Sequence, residues 1–212
     1  MSSQLEAVVF DLGGVLTIGG RQSDLAKRYP DHPAEQVIEL IMGRYHEDND
    51  HQWHRLERGQ ITMDECRSIT KLQMDERGMK PIGPPPTDTA GPSFLSNEAM
   101  LALVRDLRAA GIATAMLTNN VREFRSLWWP LAPWAELFDV IVDSHEVGLR
   151  KPNPAIYELT LAHLGVAPAL SAFLDDVASN VAAAEAVGMI GIVVDEDFSP
   201  AIARARELAG LA

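Results

Sequence analysis

The sequence predicts an α/β fold: a modified Rossmann, doubly wound parallel sheet with an inserted α-helical subdomain. Three observations predict it. Short apolar runs bounded by turn residues recur along the chain, amphipathic segments of helical length separate them, and one long span between the first two runs carries helical patterning only. With 212 residues and 47% hydrophobic composition, the chain is large enough to bury such a core.

The first run, Val8-Val9-Phe10, ends on Asp11 and turns at Gly13-Gly14. An unbroken β-branched and aromatic run of this kind reads as a strand buried on both faces. Further runs of the same type are Ile112 to Leu117, Phe138 to Val142, Ala172 to Leu174 and Ile190 to Val194. Between them, Asn97 to Ala109 places Met100, Leu101, Leu103, Val104 and Leu107 near a 3.6 period, with Gly111 where a C-terminal cap belongs. Pro154 to Leu164 and Val177 to Val187 read as helices closed by Gly165 and Gly188.

The span from 17 to 95 breaks the rhythm, with helical segments and no convincing strand, and is read as the inserted subdomain. Thr62-Met63-Asp64-Glu65 has the form of a capping box, so a helix is expected to start there. Gly19-Gly20 on one side, and Gly83-Pro84-Pro85-Pro86 through Gly91-Pro92 on the other, read as linkers. The expected division is a core of 1–16 and 96–212 with an insertion over 17–95.

The formal charge of −12 argues against nucleic acid and anionic membrane as partners, because phosphate groups would be repelled. Cys66 is the only cysteine, which leaves no intrachain disulfide and no multi-cysteine zinc site and fits a reducing cytoplasm. The N-terminal apolar segment is interrupted by Asp11 and lacks a basic leader, unlike a secretory signal, and no stretch approaches membrane-spanning length. No feature of the sequence specifies an oligomeric state.

Four polar signals follow the strand candidates: Asp11, Thr118-Asn119-Asn120, Lys151-Pro152 and Asp175-Asp176. Each alone has a plain structural use as a helix cap, a turn or a solvated loop. Together they converge, because an open α/β sheet binds ligands off the carboxyl ends of its strands. Three carboxylates brought close repel one another unless a cation joins them, and oxygen ligands suit Mg²⁺. A Lys and a Thr hydroxyl beside them would hold phosphoryl oxygens, leaving Asp11 to attack phosphorus and form an acyl-phosphate.

These residues resemble the haloacid dehalogenase-like hydrolase superfamily over nearly the whole chain. Phe10-Asp11-Leu12-Gly13-Gly14-Val15-Leu16 is similar to its nucleophile motif, Leu117-Thr118-Asn119 to its second, Lys151-Pro152 to its third, and Phe173-Leu174-Asp175-Asp176 with Asn180 to its fourth. The insertion resembles the helical cap of the cap-type-one members. Trp53 to Thr62 and Val147 to Pro152 look most like the branch with the phosphatase domain of soluble epoxide hydrolase and bacterial sugar-phosphate phosphatases.

The resemblance implies a sheet ordered 5-4-1-2-3 when strands are counted along the chain. It implies a Mg²⁺-dependent phosphatase for a small phosphorylated substrate, with Asp11 as nucleophile and metal ligand, Thr118 and Lys151 on the phosphoryl oxygens, and Asp175, Asp176 and the Gly13 carbonyl on Mg²⁺. Asn119, Gly13, Gly14 and His54 are expected against the substrate. Phosphatase members carry a second Asp where this chain has Gly13; that Asp protonates the leaving group and later activates water. Two alternatives stay open on that departure: a 2-haloacid dehalogenase, which needs no metal, and a phosphate-binding regulatory protein with little turnover.

Losing general acid catalysis is typically worth about 10²–10⁴ in rate, so slow turnover on alkyl phosphates is expected rather than none. The polar run His46, Glu47, Asp48, Asp50, His51, His54 and Glu57 offers possible replacement acids, although such a run ordinarily forms a solvated helix face. Trp128, Trp129 and Trp134 are expected to pack between helix and sheet.

Overall fold

A computed structural model describes residues 5–19, 23–82 and 94–211. β1 (Ala7–Phe10) and β2 (Thr17–Gly19) lead into α1 (Ser23–Ala26), α2 (Ala34–Met42), α3 (Gln52–Glu57) and α4 (Met63–Glu76), and β3 (Phe94–Ser96) brings the chain back. Next come α5 (Glu98–Ala109), β4 (Ala113–Thr118), the short α6 (Arg125–Trp128) and α7 (Trp134–Leu137), β5 (Val140–Asp143) and α8 (Ser144–Val147). The remaining elements are α9 (Pro154–Leu164), β6 (Ser171–Asp175), α10 (Ala178–Val187), β7 (Ile190–Val193) and α11 (Ser199–Leu208).

Five strands pair in parallel in the order β5-β4-β1-β6-β7, the order expected from the sequence. β1 and β6 are buried at every position because helices cover both faces of the sheet. On one face Phe10, Met116 and Leu174 pack with Leu103, Leu107 and Ala205 of α5 and α11; on the other Val9, Leu117 and Phe173 pack with Ile156, Tyr157 and Ala184 of α9 and α10. Trp128 and Trp134 are buried in the first layer, where the Trp134 indole N–H donates to the Trp128 carbonyl at 3.1 Å.

Local chemistry sets the helix ends. Asn97 caps α5 by accepting from the Met100 amide, and Thr62 and Glu65 form the reciprocal capping box that starts α4. Gly165 and Gly188 end α9 and α10 in the left-handed conformation.

The insertion differs from expectation in one respect. Thr17–Gly19 and Phe94–Ser96 form a two-stranded antiparallel ribbon, so the span is not wholly helical and its two boundaries are joined by β pairing. Strands of three residues are too short to display a period. Of the expected linkers, Gly20 and the residues from 83 to 93 lie outside the described residues. The helices of the insertion have their own apolar cluster, including Tyr29, Val37, Leu40 and Met74, while Leu56, Met63 and Cys66 pack on Val121 of the loop after β4. Among the described residues no helix is long and apolar enough to cross a membrane.

Candidate active site

Asp11 immediately follows β1, and Phe10 is in register with Leu174 of β6 and Met116 of β4. Parallel pairing therefore sets Asp11 level with Asp175, while Thr118 ends the strand on the other side. The strand order reverses around β1, so these carboxyl ends face the crevice where an open α/β sheet takes a ligand.

Lys151 enters the crevice from the loop after α8. Its buried Nζ lies 2.8 Å from Asp11 Oδ1 and 2.6 Å from Asp175 Oδ2. Burial alone would lower its pKa, but the two carboxylates outweigh burial and raise it. Asp175 is fully buried; Asn180 Nδ2 donates to both of its oxygens at 3.1 Å, and the Val177 amide donates to Oδ1 at 2.8 Å. Asp11 Oδ1 also accepts from the Leu12 amide at 2.7 Å.

Burial pushes the Asp11 carboxyl up to about 8 despite Lys151, and the neighbouring Asp175 and Asp176 add to the rise. Asp176 is exposed as a residue, yet its carboxyl is packed against Gly14, and desolvation together with Asp175 pushes it up to about 6. Asp11, Asp175 and Asp176 each offer an oxygen within 4.8 Å of the others. One ammonium cannot neutralise three such carboxylates. An all-oxygen, strongly anionic donor set fits a hard divalent cation such as Mg²⁺, which would hold all three in the charged form.

The two glycines differ. Gly14 has φ +77°, and a Cβ there would lie 2.2 Å from Asp176 Oδ2, so only glycine lets Asp176 approach the turn. Gly13 is exposed, lies outside the positive-φ group, and a Cβ there would meet nothing within 4 Å among the described residues.

Asn119, expected against substrate, is engaged elsewhere. Its Nδ2 donates to the Lys151 carbonyl at 2.9 Å and its Oδ1 accepts from the Lys151 amide at 2.7 Å, so it holds the main chain beneath the ammonium. The Lys151–Pro152 peptide is cis. His54 is fully buried: Nδ1 lies 3.4 Å from the Asn49 amide, and Nε2 has no partner among the described residues and faces Gly43. Burial, then the Arg150 and His51 charges, push it down to about 3, so it stays neutral with no open face for a substrate.

Two residues beside the site were not picked out from the sequence. Arg150 is buried next to Lys151, donates from Nε to Glu57 Oε2 at 2.7 Å and from Nη1 to the Glu47 carbonyl, and so ties the insertion to the core. Its place directly before Lys151 was the available signal. Tyr45 has none. It is half-buried two residues before Glu47, and burial holds its phenol well above the usual value, with the Glu57, Asp11 and Asp176 charges adding to the shift. A separate cleft of about 470 Å³ in the insertion, bordered by Glu39, Arg44, Glu47, His51 and Arg77, includes none of the Asp11 cluster, and Arg44 is already paired with Glu39 and Glu47.

Residues 5–188 match the family described as haloacid dehalogenase-like hydrolase. A sesquiterpene phosphatase of Aspergillus oryzae is 30% identical over 99% of this chain and 100% of its own. Bifunctional epoxide hydrolase 2 of Sus scrofa is 29% identical over 98% of this chain, which spans 39% of that protein. The fold is shared with a HAD family enzyme of Bacteroides thetaiotaomicron, solved with magnesium and inorganic phosphate, at 21% identity and TM-score 0.68 over 93% of this chain and 98% of that one.

Proposed function

The chain belongs to the haloacid dehalogenase-like hydrolase family, and we propose that it is a phosphatase that hydrolyses a small phosphorylated metabolite through an aspartyl-phosphate on Asp11. The observation that carries this reading is Lys151 Nζ bridging Asp11 and Asp175 at 2.8 and 2.6 Å, with Asp176 in reach, at the ends of adjacent strands. Paired carboxylates would repel the carboxylate of a haloacid. They suit a phosphoryl group only in the company of a cation, and the relative named as a phosphatase supports that choice.

Asp11, Asp175, Asp176 and the Gly13 carbonyl would hold Mg²⁺. When bound, the ion neutralises the carboxylates and the phosphoryl oxygens. Lys151 and Thr118 orient those oxygens so that an Asp11 oxygen lies in line with the bond to be broken. The new bond from Asp11 to phosphorus forms as the leaving oxygen departs. Water then cleaves the acyl-phosphate, releasing inorganic phosphate and restoring the carboxylate. The helices between the ribbon strands serve as a cap over residues 17–95, excluding bulk water while this happens.

A panel of phosphate esters assayed with Mg²⁺ and with EDTA, beside Asp11→Asn and a 2-haloacid control, tests the reading. Mg²⁺-dependent phosphate release that disappears in the variant is the expected result. Halide release without metal, or no release from any ester, overturns it.

A further inference from the structure

Among the described residues, no atom beyond Gly13 and its two chain neighbours lies within 4 Å of the place that a Cβ on Gly13 would take, so none of the acids of the polar run from 46 to 57 fills that space. Glu57 is engaged by Arg150 at 2.7 Å and by the Trp53 indole at 2.9 Å. Asp48 is held by Arg58 and by Asn153 Nδ2 at 3.0 Å, and Glu47 by Arg44 and Asn49. His51 Nδ1 caps α3 through the Trp53 amide, while Asp50 faces Arg55 on the outer surface. His46 is exposed beside Glu47, and His54 is enclosed.

Among the described residues of the cap, Tyr45 has Asp11 and Asp176 in its surroundings. Its phenol, held well above the usual value by burial, is a far weaker acid than a carboxyl. Among the described residues, no side chain therefore lies within 4 Å of the place that a Cβ on Gly13 would take to serve there as general acid to the leaving oxygen or general base to the water of the second step.

From this geometry we infer that the site acts on phosphates whose leaving group is already a weak base, such as aryl and acyl phosphates, expels that group as an anion across the open face at Gly13, and then accumulates the aspartyl-phosphate. The inference rests on the phosphatase reading of Asp11. As the bond from Asp11 to phosphorus forms, the bond to the leaving oxygen breaks and its electron pair stays on that oxygen, which takes a proton from solvent. Attack of water on phosphorus then returns the Asp11 carboxylate, and without a base this step is the slower one.

A series of aryl phosphates of graded leaving-group basicity, together with an alkyl phosphate, tests this with Mg²⁺ present. In the unmodified protein kcat/KM falls steeply with leaving-group basicity, by about 10²–10⁴ from 4-nitrophenyl phosphate to the alkyl ester, the usual worth of a general acid. Rapid mixing shows a burst of 4-nitrophenol approaching one equivalent per site. Gly13→Asp, whose Cβ meets no described atom within 4 Å, flattens the dependence and removes the burst, whereas Gly13→Asn adds a side chain of similar size without an acidic proton and keeps the steep slope.

Equal kcat/KM across the series in the unmodified protein overturns the inference, as does a Gly13→Asn slope as flat as that of Gly13→Asp. If Gly13→Asp does not fold, the slope and burst of the unmodified protein decide the matter alone. Absence of phosphate release from every ester refutes instead the phosphatase reading beneath it.

Discussion

Arg150 Nε and Glu57 Oε2 lie 2.7 Å apart with both side chains shut off from solvent, one residue from the core and the other from the insertion. Removing one member of such a pair leaves a buried charge without its counter-ion, which costs about 3–5 kcal/mol. Glu57→Ala is therefore expected to lower the urea midpoint strongly, and the double variant Glu57→Ala/Arg150→Met to recover part of the loss. Strictly additive losses in this cycle would show that the pair is not the origin.

At the turn after β1, Gly14→Ala brings two penalties. The left-handed conformation at φ +77° costs a non-glycine residue about 1–2 kcal/mol, and the added methyl collides with Asp176 Oδ2. Displacing Asp176 weakens the cation site, so the variant is expected to lose turnover and to need more Mg²⁺ for half-maximal rate. A Mg²⁺ titration of phosphate release reads both, and an unchanged Mg²⁺ requirement would rule out the collision as the cause.

Asn119→Ala removes both hydrogen bonds that fix the Lys151 main chain. Partners that orient a site residue in this way are typically worth about 10–100-fold in activity. The loss is expected in kcat with little change in KM, since the ammonium remains present but is less well aimed. A pure KM effect would mean that Asn119 touches substrate instead.

Metal-free stability should fall as pH rises through the neutral range. The Asp11 carboxyl is pushed up to about 8 and that of Asp176 to about 6, from ordinary values of 3.8. From about pH 4 to about pH 8 the folded state keeps protons that the unfolded chain has released, so rising pH favours unfolding. In EDTA, the thermal midpoint of the unmodified protein relative to Asp11→Asn is expected to drop from about pH 5 to about pH 8, and Mg²⁺ to restore it most at the higher pH. A relative midpoint that climbs with pH would contradict the sign.

The sheet was legible because its strands are buried on both faces: Val8 to Phe10 and Ala172 to Leu174 are unbroken apolar runs. The capping box at Thr62 was equally plain, since its two partners lie three residues apart. The ribbon of Thr17–Gly19 and Phe94–Ser96 was not, because neither strand is long enough to show alternation. At the site, Asp11, Lys151, Asp175 and Asp176 each end or follow a recognisable element, and topology alone brings them together.

The pairing of Glu57 with Arg150 spans 93 positions, and no local pattern announces it. His54 and Glu57 sit in a polar run that resembles a solvated face, yet both are buried, His54 against Gly43 and His51 and Glu57 against Arg150. Asn119 lies directly after Thr118, which pointed to the ligand, but its amide is turned to the main chain of Lys151.

The unobstructed space above Gly13 also has an evolutionary meaning. Every glycine codon becomes an aspartate or glutamate codon when its second base changes to adenine. Because an added Cβ meets no described atom within 4 Å there, a lineage can cross between acid-bearing and acid-free chemistry in a single mutational step without a collision at that carbon. Divergence of substrate range at this position needs no remodelling of the scaffold.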